Sequence, residues 1–235
     1  NRGKEKRERL AEELGVSVSE KLPELAADDV LVLAVKPQDM QAACQSVQTN
    51  GALVLSVAAG LSVTTLSRYL GGTRRIVRVM PNTPGKIGLG VSGMFADDSV
   101  SDQDKAAADS IMRAVGITVW LDGEERLHDI TGISGSGPAY VFYLLDALKQ
   151  AARQQGFGEK EAHRLSLATF KGAVALAEQT GEDFAVLQQN VTSKGGTTHE
   201  AIETFKAGQV AETVVKGVAA CVNRSRELAK QFEAV

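Results

Sequence analysis

Ser193-Lys194-Gly195-Gly196-Thr197-Thr198 places two glycines and three hydroxyls in one turn that runs straight into a helical segment at 198–206. Amide N–H groups at a helix N-terminus, unobstructed by side chains and flanked by hydroxyls, make a receptor for a carboxylate or phosphate. Plain helix capping by Ser193, Thr197 or Thr198 is the alternative use of the same residues. Three more loops follow apolar runs: Val35-Lys36-Pro37, Ala58-Ala59-Gly60, and Met80-Pro81-Asn82-Thr83-Pro84. Small residues at strand ends let a flat ligand approach the backbone closely, although each loop alone is also ordinary turn chemistry. The titratable groups are less informative. His128, His163 and His199 lie about 35 residues apart, which is not a metal-ligand spacing. Asp97-Asp98 reads as a turn ahead of a helix, and Cys221 as a core residue.

These loops must be positioned by regular elements, and the chain supplies two kinds. Up to about residue 121, apolar runs at 30–35, 53–57 and 75–80, with weaker ones at 90–96 and 117–121, alternate with helical patterns at 3–14, 38–47, 62–70 and 102–115. That alternation predicts an α/β domain whose parallel sheet is covered on both faces. After Gly123 no strand pattern remains, and long helical segments follow at 139–155, 159–180, 198–206 and 210–232. The expected division is an α/β domain at 1–123 and an all-helical domain at 124–235. Small residues recurring on the helices, as in Gly172-Ala173-Val174-Ala175 and Gly217-Val218-Ala219-Ala220, predict close helix packing in a bundle or across a subunit interface.

Composition narrows the classes of partner. Of 235 residues, 43% are apolar and 23% charged, so the chain buries enough surface to fold. A net charge of −3 gives no reason to expect nucleic acid, and two cysteines cannot build a disulfide framework. The longest weakly polar stretch, 52–63, falls short of a membrane span, and no secretory segment is visible, which predicts a cytoplasmic protein. The chain opens Asn1-Arg2-Gly3 in front of a charged helical pattern, as though a first strand and glycine-rich turn preceded it. In a dinucleotide-binding fold, Asn1 and Arg2 would then sit where the adenosine ribose is read. Arg2, with Lys4 nearby, favours the 2′-phosphate of NADP there.

The segment Leu187-Gln188-Gln189-Asn190-Val191-Thr192-Ser193-Lys194-Gly195-Gly196-Thr197-Thr198-His199-Glu200-Ala201-Ile202 closely resembles the signature of the pyrroline-5-carboxylate reductase family. Val35-Lys36-Pro37, Ala58-Ala59-Gly60, Met80-Pro81-Asn82-Thr83-Pro84 and Ser134-Gly135-Ser136-Gly137-Pro138-Ala139-Tyr140 also resemble that family's landmarks, in its order. The resemblance implies a Rossmann-type domain followed by a helical dimerisation domain. It implies NADPH, or NADH, reducing Δ1-pyrroline-5-carboxylate to L-proline, the last step of proline synthesis. The implied assembly is a homodimer or a higher assembly of dimers, its active site shared between one chain's Rossmann domain and the partner's helices. By resemblance, Asn1, Arg2, Ala34, Val35, Lys36, Pro37, Ala58, Ala59 and Asn82 line the cofactor. Val191, Ser193, Gly195, Gly196, Thr197 and Thr198 hold the substrate, with the Thr198 hydroxyl near the ring nitrogen. Lys194 stands where many relatives carry proline and His199 where many carry an apolar residue, and neither is assigned a role.

An imine asks little of the protein in acid–base chemistry, because its nitrogen collects a proton readily and the iminium carbon already accepts hydride. The work is mostly positioning, with donor and acceptor carbons about 3–3.5 Å apart. A β-hydroxyacid dehydrogenase is the main competing reading. Gly132, Gly135 and Gly137 resemble that family's glycines, but its catalytic Lys position is Val141 and its Asn position is Leu145 here, which argues against a ketone substrate. Another cyclic imine, or a dimeric relative without turnover, are the remaining alternatives.

Overall fold

In the computed structural model, which describes residues 3–233, the apolar runs form one five-stranded sheet. A charged helix, α1 (Lys4–Leu14), leads into β1 (Val30–Leu33), α2 (Pro37–Cys44), β2 (Leu53–Ser56), α3 (Val63–Tyr69) and β3 (Ile76–Met80). Then follow β4 (Gly90–Ala96), α4 (Asp102–Arg113), β5 (Gly116–Trp120) and a short helix, α5 (Arg126–Ile130). Strand order follows chain order, β1-β2-β3-β4-β5. Strands β1 to β3 run parallel, as helices between successive strands require. The sheet is not parallel throughout: β4 runs antiparallel to β3, and β5 is parallel to β4. The physical reason is the length of the link at 81–89, which holds only the 3-10 turn Thr83–Ile87. A parallel return takes a dozen or more residues, so the chain doubles back instead.

The described residues form two compact units, 3–130 with 225–233, and Thr131–Arg224. In the first, strand side chains bury on both faces of the sheet. Leu31, Leu33, Val54 and Ile76 meet Met40, Leu61 and Leu66 from α2, α3 and the loop before α3. On the other face, Leu53, Leu55, Val77, Val79 and Met94 meet Ala108 and Met112 of α4. Each fully buried Val, Leu or Ile contributes about 1.5–3 kcal/mol, which is why these runs are nearly unbroken. Asp109 of α4 holds β5, its Oδ1 accepting from Thr118 Oγ1 at 2.6 Å and Trp120 Nε1 at 3.2 Å.

At the N-terminal end of β3 the Arg75 guanidinium clamps three segments. It donates from Nε to Asp104 Oδ2 at 2.8 Å and from Nη2 to Asp104 Oδ1 at 2.6 Å. Its Nη1 donates to the carbonyls of Ala27 and Gly51. The hydrogen bonds from Arg75 hold the buried Asp104 carboxyl below the usual carboxylate range. A carboxylate with a lowered folded pKa stabilises the fold above its unfolded value and loses that stabilisation as pH falls through the folded value. Asp104→Asn is therefore expected to cost about 2 kcal/mol at pH 7, in the range of hydrogen bonds to charged groups. The gap from wild type should shrink below about pH 4, near the unfolded Asp value. Denaturant unfolding of both proteins between pH 7 and pH 3 checks this, and a pH-independent gap would refute it.

The second unit holds the π-type turn Thr131–Gly135 and the helices α6 (Gly137–Gln154), α7 (Glu159–Thr180), α8 (Phe184–Asn190) and α9 (Thr197–Ala207). The long α10 (Val210–Glu233) begins in this unit and ends in the first. Lys149 and Arg153 of α6 pair with Glu159 at 3.6 and 2.7 Å, closing the turn into α7. Among the described residues of this unit, Ala162 is the one buried apolar side chain, whereas Phe142, Tyr143, Val174, Phe205 and Val215 are exposed. An open groove of about 290 Å³ between α6 and α7, lined by Phe142, Leu145, His163 and Leu167, continues that apolar surface. Among the described residues no helix is long and apolar enough to cross a membrane.

Candidate functional site

Parallel pairing of β1, β2 and β3 sets Leu33 beside Ser56 and Ser56 beside Arg78, so the three carboxyl ends share one edge of the sheet. Ligands of open α/β sheets bind beyond such an edge. The residues following each strand form a shelf there. Ala34 and Lys36 are exposed, Val35 is half-buried against the core, and Pro37 is the first residue of α2. After β2, Ala58 is buried, with its N–H directed to Ser56 Oγ at 3.4 Å, and Ala59 is exposed. Gly60 turns the chain at φ +77°, and a Cβ there would lie 3.2 Å from the Phe232 ring at the end of α10. After β3, Asn82 is half-buried and its Oδ1 accepts the Val91 N–H at 2.9 Å, which stiffens the link into β4. The edge thus brings Ala34, Val35, Lys36, Pro37, Ala58, Ala59 and Asn82 together. Asn1 and Arg2 lie outside the described residues.

The second constellation lies wholly in the helical unit. Val191 ends α8 and is exposed; the Thr192 N–H donates to Gln189 O at 2.9 Å. Gly195 carries φ +69°, a left-handed turn residue that favours glycine. Gly196 is the N-cap of α9 and receives no side-chain cap. A Cβ on Gly196 would lie 2.4 Å from Ser193 Oγ and 3.1 Å from Ser193 O, so glycine here lets that hydroxyl keep its place over the turn. Thr197 and Thr198 are already inside the first turn, Thr197 exposed and Thr198 half-buried. Capping by Ser193, Thr197 or Thr198 therefore does not account for the three hydroxyls. The positive end of α9 is instead left open to an external anion.

Two residues that hold the start of α3, after the loop that follows β2, do not stand out in the sequence. Arg78 is buried in the middle of β3, and Glu124 follows Gly123. The signal for Arg78 is a charge inside an otherwise apolar run; Glu124 carries none, since its partners are distant in sequence. His128 of α5 meets Ser225 Oγ at 2.8 Å through Nδ1; burial and the nearby Arg78 charge lower its pKa. Ser136 Oγ and Cys221 Sγ lie 3.2 Å apart within the helical unit. Among the described residues no group of three His, Cys, Asp or Glu is placed to hold a metal.

A Rossmann-type sheet with a ligand edge, joined to helices whose apolar faces lack a core of their own, defines a dinucleotide-binding domain followed by a helical dimerisation domain. Residues 124–228 match the family model for pyrroline-5-carboxylate reductase dimerisation, and residues 1–60 match one described as NADP oxidoreductase, coenzyme F420-dependent. The chain is 40% identical to the pyrroline-5-carboxylate reductase of Pseudomonas aeruginosa, over 98% of this chain and 86% of that protein. It is 41% identical to that of Pasteurella multocida, over 87% and 76%. The solved pyrroline-5-carboxylate reductase of Coxiella burnetii superposes with a TM-score of 0.86 at 37% identity, covering 97% of this chain and 86% of the other. That of Plasmodium falciparum, with NADP bound, gives 0.79 at 28% identity, covering 86% and 77%. The chain belongs to the pyrroline-5-carboxylate reductase family.

Proposed function

We propose that this protein reduces the C=N bond of Δ1-pyrroline-5-carboxylate to give L-proline, the last step of proline biosynthesis, with NADPH as donor and NADH as a possible substitute. The observation that carries the reading is the uncapped N-terminus of α9 beneath Ser193, with Thr197 and Thr198 in its first turn. Ser193, Gly195 and Thr197 receive the substrate carboxylate through hydroxyls and backbone N–H groups, Gly196, whose own N–H donates to Ser193 O at 3.0 Å, leaves room for it, and Val191 packs against the ring. Fixing the carboxylate orients the ring, so that the Thr198 hydroxyl reaches the imine nitrogen and holds its proton. This positioning is the main work an imine asks of the chain. The nicotinamide, when bound, supplies the hydride. Ala34, Val35, Lys36, Pro37, Ala58, Ala59 and Asn82 hold the dinucleotide on the shelf at the sheet edge, and the sequence reading of Asn1 and Arg2 as readers of the 2′-phosphate concerns residues outside the described ones.

In this reading residues 1–123 bind the dinucleotide, and 124–235 bind the substrate and pair two chains. The exposed apolar faces of α6, α7 and α10 support a homodimer or a higher assembly of dimers. The two free cysteines, Cys44 and Cys221, agree with a reducing compartment and support a cytoplasmic location. The test is consumption of NADPH by the full-length protein with Δ1-pyrroline-5-carboxylate, followed by loss of reduced-nicotinamide absorbance and by proline analysis. One L-proline should form per NADPH consumed. Consumption without proline, or none at all, would sink the assignment.

A further inference from the structure

Arg78 is a costly residue where it stands. Ile76, Val77 and Val79 around it are buried and apolar, and Arg78 itself is 6% exposed. Its Nη1 donates to Glu124 Oε1 at 2.9 Å, and its Nε has no hydrogen-bond partner. A buried guanidinium with an unsatisfied nitrogen destabilises relative to a well-packed apolar side chain of similar size. Packing therefore does not account for it, and the question becomes what the pair holds.

Glu124 Oε1 also accepts the Val63 N–H at 2.7 Å. Val63 is the first residue of α3, so this N–H is one that the helix cannot satisfy itself. Ser62 Oγ accepts the Thr65 N–H at 3.1 Å, so Glu124 and Ser62 together fix the first turn. Immediately before that turn lies Ala58-Ala59-Gly60, the middle piece of the ligand edge. Gly60 is held from its other side by Phe232 and Ala229 of α10. These contacts fix the loop where it enters α3. Arg78 anchors it from the strand beside Ser56, the last residue of β2.

We propose that Glu124, locked by Arg78, is a positioning residue for dinucleotide binding: it fixes the first turn of α3 and thereby the place of Ala58 and Ala59. The proposal rests on the reading of Ala58 and Ala59 as cofactor contacts. It is tested with Glu124→Ala, Glu124→Asp and Glu124→Gln in the full-length protein, by NADPH titration and by steady-state kinetics well below each variant's Tm. Asp keeps the charge beside Arg78 but is one methylene short of the Val63 N–H, whereas Gln keeps the reach and an acceptor oxygen. The Kd for NADPH should rise about tenfold in the Ala and Asp variants, a shift of one turn's worth of lost orientation. It should stay within about threefold in the Gln variant, with KM for pyrroline-5-carboxylate within about twofold throughout. A purely structural pair would lower Tm and leave the Kd unchanged. Should the Ala variant fail to fold, the Asp variant carries the decision. Folded Asp or Ala protein that binds NADPH like wild type overturns the positioning role alone. Wild-type protein that does not bind NADPH overturns the cofactor reading and this proposal with it.

Discussion

Thr198→Ala is expected to lower kcat/KM for pyrroline-5-carboxylate about 10²-fold, the lower end of what a positioned proton-handling group contributes. That corresponds to about 3 kcal/mol of transition-state stabilisation. Thr198 is the second residue of α9, half-buried, in a turn that no side chain caps. A hydroxyl there is held by helix geometry, so its removal deletes one donor without unfolding the turn. Thr198→Ser keeps the hydroxyl and should restore most of the rate. The pH profile separates orientation from proton delivery. If Thr198 delivers the proton, the deficit of the Ala variant grows as pH rises past the point where the free imine loses its own. If it only orients the ring, the deficit is flat with pH. Full kcat/KM in Thr198→Ala would remove Thr198 from the mechanism.

The sheet was legible because its central strands β2 and β3 are buried on two faces, which forces nearly unbroken apolar runs, and β1 carries the same run although Val32 is exposed. The runs at 30–35, 53–57 and 75–80 became Val30–Leu33, Leu53–Ser56 and Ile76–Met80. The helix expected at 159–180 appears as Glu159–Thr180, bounded by Gly158 and by Gly181 in a left-handed turn. Strand direction was not legible in the same way, because side-chain period carries no sign. Only the length of the 81–89 link reports that β4 reverses. The short α5 and α8, at Arg126–Ile130 and Phe184–Asn190, were also missed. Helices of one or two turns owe their existence to neighbours rather than to a periodic pattern.

The candidate site divides along a similar line. Its glycines and hydroxyls stand next to one another in the chain, so the loops at 34–37, 58–60 and 193–198 could be picked out without coordinates. Their partners could not. Ser193 above Gly196 is a local contact, yet the sequence leaves open both a side-chain cap and an open helix end there. The contacts of Glu124 with Val63 and Arg78, and of Phe232 with Gly60, span the first unit and follow only from its packing.

Val174→Asp and Val215→Asp are each expected to convert a dimer into monomers. Both side chains are exposed in the single chain, 64% and 68%, in the middle of α7 and α10. Val and Asp differ little in helix propensity, so in an isolated subunit either change costs only a few tenths of a kcal/mol. A dry interface reverses that balance, because an unpaired carboxylate loses its hydration there. A twofold interface presents the same residue twice, so about 3 kcal/mol per copy becomes about 6 kcal/mol per dimer, on the order of 10⁴-fold in Kd. Gly172 and Gly217 point the same way. Each sits within a helix, where glycine costs about 1 kcal/mol against alanine, and a Cβ on either would meet nothing within 4 Å. Such room is wasted in one chain and useful where a second helix approaches. Sedimentation or light scattering at micromolar protein, with far-ultraviolet circular dichroism to verify the helices, makes the measurement. Turnover should fall with the dimer if the helical unit holds the substrate as proposed, since that unit has one buried apolar side chain among its described residues, Ala162. If both variants stay dimeric and active, these faces do not join two chains, and the helical unit must draw its stability from elsewhere.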